Sequence, residues 1–470
     1  MRRIRQVSRA GPALVWVVAM LALLVAAAAW GAEGDFLWMD PVDLGGDNFV
    51  VSVAAGGGVV VAAGQVNEFL HPDGDWRSDW LVRAVEAQTG VYKWQDHLHQ
   101  EGHYIYASQV VMDAGRVFAV GGNEDIPTGD EQGIIRAFDA ATGTLLWSTD
   151  FYPGAWSSRA LKVAALNGRV VVVGRVIFQV GLTYQIYWLI RAYEAQGGIF
   201  LWEDIFRLED DNVGFHIQAT AVCFGSQGQV FVGGLAGKKE VQPPNKKVLL
   251  VRAYDAVSGA FQWQQTFDEG FTWGYLFEIK EYNGKVFVLG VGTTDTDPPI
   301  RYSLIRAFAA PAGTPKWRKK MSPGAGGDEA FFRGLEVYGG KVFVAGSRDS
   351  GSKPKGLWQV RAFNAGGTQL WQSTWDPGGA ESRAYAVAAA PYRVYVAGSG
   401  RNASNAREWL VRAHRAGSNA KVWEDRFDLG GGDSEAYSIA ASEGRVFAAG
   451  YGTNGSGRKI WVVRAYQGKL

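Results

Sequence analysis

Ile134–Trp147 reads I-I-R-A-F-D-A-A-T-G-T-L-L-W, and this unit returns along the whole chain. An earlier copy, L-V-R-A-V-E-A-Q-T-G-V-Y-K-W, ends at Trp94, and later ones end at Trp202, Trp263, Trp317, Trp371 and Trp423. An eighth begins V-V-R-A-Y at Val462 with no tryptophan after it. The arginines of the unit are Arg83, Arg136, Arg191, Arg252, Arg306, Arg361, Arg412 and Arg464, so the period runs from 51 to 61 residues. A period of this size marks a repeat architecture whose units bury their faces against one another.

Each period holds four strand-like pieces. An apolar run such as Ala160–Leu166 comes first, then a tight turn: Asn167-Gly168, Asn283-Gly284, Gly339-Gly340 or Glu443-Gly444. These pairs suit two-residue hairpins, which need a left-handed backbone at both turn positions. The second strand is the most regular, as in V-V-V-V-G at Val170, V-F-V-L-G at Val286 and V-F-V-A-G at Val342. The third is the W-L-V-R-A element and the fourth carries the repeat tryptophan. β-Branched and aromatic residues bounded by glycine turns, without a 3.6-residue apolar period, predict an all-β fold. Four short strands per period match one antiparallel propeller blade.

The segment Leu37–Gly46, L-W-M-D-P-V-D-L-G-G, overlays V-W-E-D-R-F-D-L-G-G of the seventh repeat (Val422–Gly431). It therefore reads as the missing fourth strand of the last repeat. Eight repeats, one split across the ends, predict an eight-bladed β-propeller over residues 35–470, closed by an N-terminal strand and expected as a monomer.

The chain of 470 residues carries 19 Trp and 62 Gly, with a formal net charge of +1. Sparse, balanced charge gives no reason to expect nucleic acid. Met1–Pro12 contains Arg2, Arg3, Arg5 and Arg9 and no acid, Ala13–Ala29 is unbroken apolar sequence, and Ala29-Trp30-Gly31 offers small residues for cleavage. That order reads as a signal peptide over residues 1–32, hence a periplasmic or extracellular protein with no membrane span in its mature form. An uncleaved anchor is the alternative. Cys223 stands alone, so an internal disulfide and C-x-x-C sites are excluded; in its apolar run it reads as a buried small hydrophobe.

The D-A-A-T-G-x-x-x-W unit resembles the tryptophan-docking repeat of the quinoprotein (PQQ-repeat) eight-bladed propellers. That family includes pyrroloquinoline-quinone dehydrogenases, and the unit is similar too to the propeller lipoprotein of the outer-membrane barrel-assembly machinery. The resemblance implies that Trp38, Trp94, Trp147, Trp202, Trp263, Trp317, Trp371 and Trp423 each dock on the next blade. It also implies an alternative activity, a PQQ-dependent or metal-dependent oxidoreductase using PQQ with calcium. Two departures weigh against that activity: one cysteine cannot form the adjacent-cysteine disulfide that flanks the quinone in many dehydrogenases, and the long excursions that build their active sites are missing.

An arginine present in every repeat is expected to serve packing, pairing with acids such as Asp96, Asp204 or Asp425. Function is expected where repeats differ. Connections between second and third strands are long (Gln65–Asp79, Arg175–Tyr187, Ala236–Lys247, Gly292–Ser303) and share a face with the blade-to-blade crossings. Binding residues concentrate on such loops. No G-x-S-x-G, Walker loop or H-E-x-x-H occurs. The sequence thus favours an exported, non-catalytic binding or scaffold module, taking a protein or small-molecule ligand on the loop-rich face and assigned no cofactor. One local departure from the repeat is H-x-H-x-x-x-H at His97, His99 and His103, whose first two positions are Arg426 and Asp428 in the seventh repeat. Imidazoles two apart on a strand share a face, and Gly102 could bring His103 round to complete a metal site. A solvated strand end is the plainer reading.

Overall fold

The computed structural model describes residues 31–469, except 73, 153, 182, 209–216, 239–245, 268–270, 295–298, 323–328, 350–355, 379–380 and 403–404. The proposed signal segment, apart from its last two residues, lies outside the described residues. Among those described, no helix is long and apolar enough to cross a membrane.

Among the described residues, thirty-two antiparallel strands form eight blades of four. The first seven span Asp47–Leu98, His103–Asp150, Ser157–Phe206, Gln218–Phe267, Phe271–Met321, Ala330–Trp375 and Arg383–Phe427. The eighth is Glu435–Gln467 completed by Phe36–Val42, which pairs antiparallel with Lys459–Gln467, Trp38 opposite Ala465. The N-terminal strand does close the ring. Blades one and two are further joined by a single parallel bridge, Ser78 to Tyr104.

The apolar residues do not make one core. They divide into eight wedges, one between each pair of neighbouring blades. This explains why second strands such as Arg169–Val180 are buried on both faces rather than alternating. The hairpin turns take the expected form: Asn167 and Gly168 have φ of 52° and 78°, Glu443 and Gly444 of 50° and 72°.

One regularity is not apparent from the sequence. The inner strand of every blade carries a register shift against its second strand, at Val51, Ser108, Leu161, Thr220, Phe277, Arg333, Tyr385 and Tyr437. Such bulges bend a strand and re-aim its side chains. They also explain the glycine closing the V-x-V-x-G strand. A Cβ on Gly64, Gly121, Gly174, Gly234, Gly398 or Gly450 would collide with an inner-strand carbonyl oxygen beside the bulge, that of Phe49, Tyr106, Arg159, Gln218, Arg383 or Glu435.

Two of the long connections are more regular than expected. In blade three the second and third strands stay in register to Val180 opposite Thr183, and in blade one they pair as far as Leu70 opposite Trp76 through a register shift between Val66 and Phe69. The expected irregular loops are there extended hairpins. Of the remaining two, Ala236–Lys247 and Gly292–Ser303, residues 239–245 and 295–298 lie outside the description.

Candidate functional site

The repeated residues form a two-point clamp between blades. Each repeat tryptophan projects forward, and its indole N–H donates to a turn carbonyl of the next blade: Trp38 to Ala87 (3.2 Å), Trp94 to Ala140 (2.9 Å), Trp147 to Ala195 (3.1 Å), Trp202 to Ala256 (3.3 Å). Trp263, Trp317 and Trp371 do the same to Ala310, Ala365 and Ala416 at 2.7, 3.1 and 3.1 Å. The repeat glycine leaves room for the ring, since a Cβ on Gly143 would strike Trp94. Trp423 is the variant. Its ring lies on Gly34, from the N-terminal segment, and its N–H has no hydrogen-bond partner among the described residues. At four seams the repeat arginine reaches back from the next blade to the acid two residues after the tryptophan, Arg83 to Asp40, Arg136 to Asp96, Arg252 to Asp204 and Arg464 to Asp425, whereas Arg191 and Arg412 pair with Glu203 and Glu424 of their own blades. These arginines are engaged in packing.

The structure pairs His97 and His99 with one carboxylate. His97 Nε2 lies 3.1 Å from Asp79 Oδ2 and His99 Nδ1 lies 2.7 Å from Asp79 Oδ1, with Asp79 only 5% exposed. His103 turns elsewhere, its Nδ1 2.8 Å from Asn123 Oδ1 and its Nε2 beside the Gln100 amide. The three rings therefore do not converge on one point. Among the described residues, no group of three or more His, Cys, Asp or Glu is arranged to hold a metal ion. Asp79 is the partner that sequence spacing could not identify; it arrives from the neighbouring strand. A cavity of about 310 Å³ lies beside this cluster, lined by Phe69, His71, Arg77, Asp79, His99 and His103 among others.

A larger cavity, about 710 Å³, lies on the ring axis. Its wall on blades five to eight is aromatic and includes Trp273, Tyr275, Phe277, Phe331, Tyr385 and Tyr437. Tyr275 and Phe277 have centroids 4.7 Å apart, Phe277 meets Phe331 edge-on at 5.4 Å, and Tyr385 meets Tyr437 edge-on at 5.3 Å. Blades one to three contribute Ser52, Gln109 and Lys162. A buried acid supports this wall. Glu435, 3% exposed, accepts from Tyr385 Oη (2.7 Å) and Arg407 Nη1 (2.9 Å); burial and this carboxylate push the Tyr385 phenol up to about 12. Away from that wall, on blade two, Glu131, also 3% exposed, accepts from Tyr106 Oη at 2.5 Å and from Arg159 Nε of blade three at 2.7 Å. Further along the wall, Lys280 Nζ lies 3.4 Å from Glu336, and the charge of Glu336, then that of Glu278, raises its pKa against the opposing effect of burial. Cys223 is half-buried rather than fully buried, and burial pushes its thiol up to about 12.

The chain belongs to the PQQ_2 family, described as outer membrane protein assembly factor BamB, whose family model matches residues 15–206 and 249–469. It is 28% identical over 139 residues to the outer membrane protein assembly factor BamB of Yersinia pestis, a match covering 27% of this chain and 34% of the relative. The chain thus spans about a third of that relative's length. Among solved structures it is similar to the quinohemoprotein alcohol dehydrogenase of Comamonas testosteroni, at 12% identity and a TM-score of 0.54, covering 93% of this chain and 77% of that one. At that identity the likeness speaks for fold alone.

The axial cavity fits poorly to PQQ with calcium. A calcium ion needs several oxygen ligands together, whereas the carboxylates that line this cavity, Glu278 and Glu336, are set about the Lys280 ammonium. The lone Cys223 cannot supply a vicinal disulfide.

Proposed function

We propose that this chain is exported to the periplasm, with residues 1–32 as its signal, and works as a non-catalytic scaffold for outer-membrane protein assembly, docking a protein partner on its loop-rich face. The observation that carries this reading is the pair of extended hairpins on that face. Their tips expose large apolar side chains: Phe69 (42%), Leu70 (55%) and Trp76 (51%) on blade one, Val180 (52%) and Tyr184 (46%) on blade three. Exposed aromatic and aliphatic tips on a rigid sheet are ordered in advance of binding, so little conformational entropy is lost when a partner covers them. The family description and the Yersinia pestis relative point to protein partners of the same kind.

Site-specific photo-cross-linking in the bacterial envelope tests the reading. Cross-linkers at Leu70, Trp76 and Val180 should capture an outer-membrane assembly component, while one at the exposed Tyr392, on the short turn between the first two strands of blade seven, should not. A partner captured instead from Ile199, at the outer edge of blade three, would move the docking surface to the ring's rim and overturn the assignment. Dye reduction after incubation with PQQ, calcium and an alcohol tests the alternative oxidoreductase reading.

A further inference from the structure

We propose that the axial cavity is a binding site for a small aromatic carboxylate, with Arg333 as its receptor. Arg333 occupies the bulge position of the inner strand of blade six, where the register shift takes its side chain off the ladder. Its guanidinium lies over Phe331 at 4.5 Å, Tyr385 at 5.2 Å and Phe277 at 5.8 Å. The faces of the group are covered by rings, which leaves the N–H edge for hydrogen bonding. Among the described residues that edge makes no hydrogen bond or ion pair. Other arginines near the axis differ: Arg159 holds Glu131, Arg301 holds Glu329, and Arg407 holds Glu381 and Glu435.

A half-buried guanidinium without an acceptor is incompletely satisfied, and its planar fork matches a carboxylate. The electrostatics of the cavity agree. Lys162 lines the opposite wall and makes no hydrogen bond or ion pair among the described residues, whereas Glu336 pairs with Lys280 at 3.4 Å and Glu278 acts electrostatically on the same ammonium. The uncompensated charge facing the cavity is positive. The body of the ligand follows from the wall: Tyr275, Phe277 and Tyr437 offer rings for edge or offset stacking. About 710 Å³ is ample for a one-ring acid and within the usual range for small-molecule sites. A phosphate would carry more charge and ask for more donors than one guanidinium supplies. This inference does not depend on the scaffold reading, because the cavity lies on the axis and the proposed docking tips lie on outer hairpins.

Isothermal titration calorimetry on the full mature chain, with benzoate as probe, tests it. Wild type should bind one equivalent, more tightly than it binds cyclohexanecarboxylate. Arg333→Gln should weaken benzoate about tenfold or more, Arg333→Lys should fall between, and Arg458→Gln, on the exposed surface, should match wild type. Should Arg333→Gln fail to fold, Arg333→Lys and the wild-type comparison of ligands still decide. Absence of benzoate binding to wild type at millimolar concentration would overturn the proposal, as would equal binding by the Arg333 variants. Phenyl phosphate binding more tightly than benzoate would overturn the carboxylate assignment.

Discussion

Arg83 grips Asp40 through two parallel hydrogen bonds of 2.8 Å, Nε to Oδ2 and Nη2 to Oδ1. The two residues are on different blades: Asp40 is on the N-terminal strand completing blade eight, and Arg83 is on the third strand of blade one. Two residues before Asp40, Trp38 donates to Ala87 four residues beyond Arg83. The N-terminal strand is thus bonded edge-on to its own blade and clamped face-on to the next.

The clamp predicts that Asp40→Ala destabilises the protein by about 2 kcal/mol, because it leaves a mostly buried guanidinium with only the Gln95 amide and the Tyr92 ring as neighbours. A double-mutant cycle with Arg83→Met, read by urea unfolding, should show that the two substitutions are strongly non-additive. Additive effects would mean that the pair is not energetically coupled.

Trp38→Ala should cost ~3–5 kcal/mol, the usual range for emptying a buried tryptophan site, and should match Trp263→Ala in melting temperature. Both rings are 7% exposed and each donates to the carbonyl of the following blade. A markedly milder Trp38→Ala would mean that the ring holds without its closing strand.

His414 stands where other blades place Phe138, Tyr193, Tyr254, Phe308, Phe363 or Tyr466 beneath a docking tryptophan, 6.1 Å from Trp371 and 1% exposed. Burial, then the Arg412 charge, lowers its pKa to about 4 from 6.5. The unfolded chain therefore binds more protons between those values. Stability from this group is complete above about pH 6.5, falls as pH drops toward 4, and the loss is on the order of 3 kcal/mol. His414→Phe should remove this contribution, so its melting temperature should exceed that of wild type at pH 4.5 by more than at pH 7.5. Equal differences at both pH values would exclude a buried neutral imidazole.

Asp79 should couple to His97 and His99. Asp79→Asn and His97→Ala, measured singly and together by thermal unfolding, should give a coupling of about 1 kcal/mol, as for an ordinary hydrogen bond. One equivalent of zinc bound by wild type and lost in His97→Ala would instead favour a three-imidazole metal site, which requires His103 to leave Asn123.

The blade count, the ring closure and the docking tryptophans were legible because every blade poses the same packing problem and solves it with the same residues at the same spacing. Arg83, Trp94 and Gly90 have counterparts along the chain, so repetition itself exposes them. The axial wall has no such signature. Its bulge positions hold Val51, Ser108, Leu161, Thr220, Phe277, Arg333, Tyr385 and Tyr437, eight positions with seven residue types. Nothing marks Arg333 among the arginines until the strands bring three rings from three blades around it. Asp79 was hidden for a similar reason, since its link to His97 runs across strands. The glycine of V-x-V-x-G was visible as a motif, but its cause, the neighbouring bulge, was not.

The closing pair has a consequence for the order of events in the cell. Phe36–Val42 leaves the ribosome ahead of every other strand of the ring, yet its partner, Lys459–Gln467, is the last to be made. A contact spanning more than four hundred residues is among the slowest to form. Until the final strand arrives, blade eight has a bare edge, the socket for Trp38 can be filled by no ring, and the last clamp stands open. For the export proposed above that delay is an advantage, because the ring cannot lock until its last strand has joined the first.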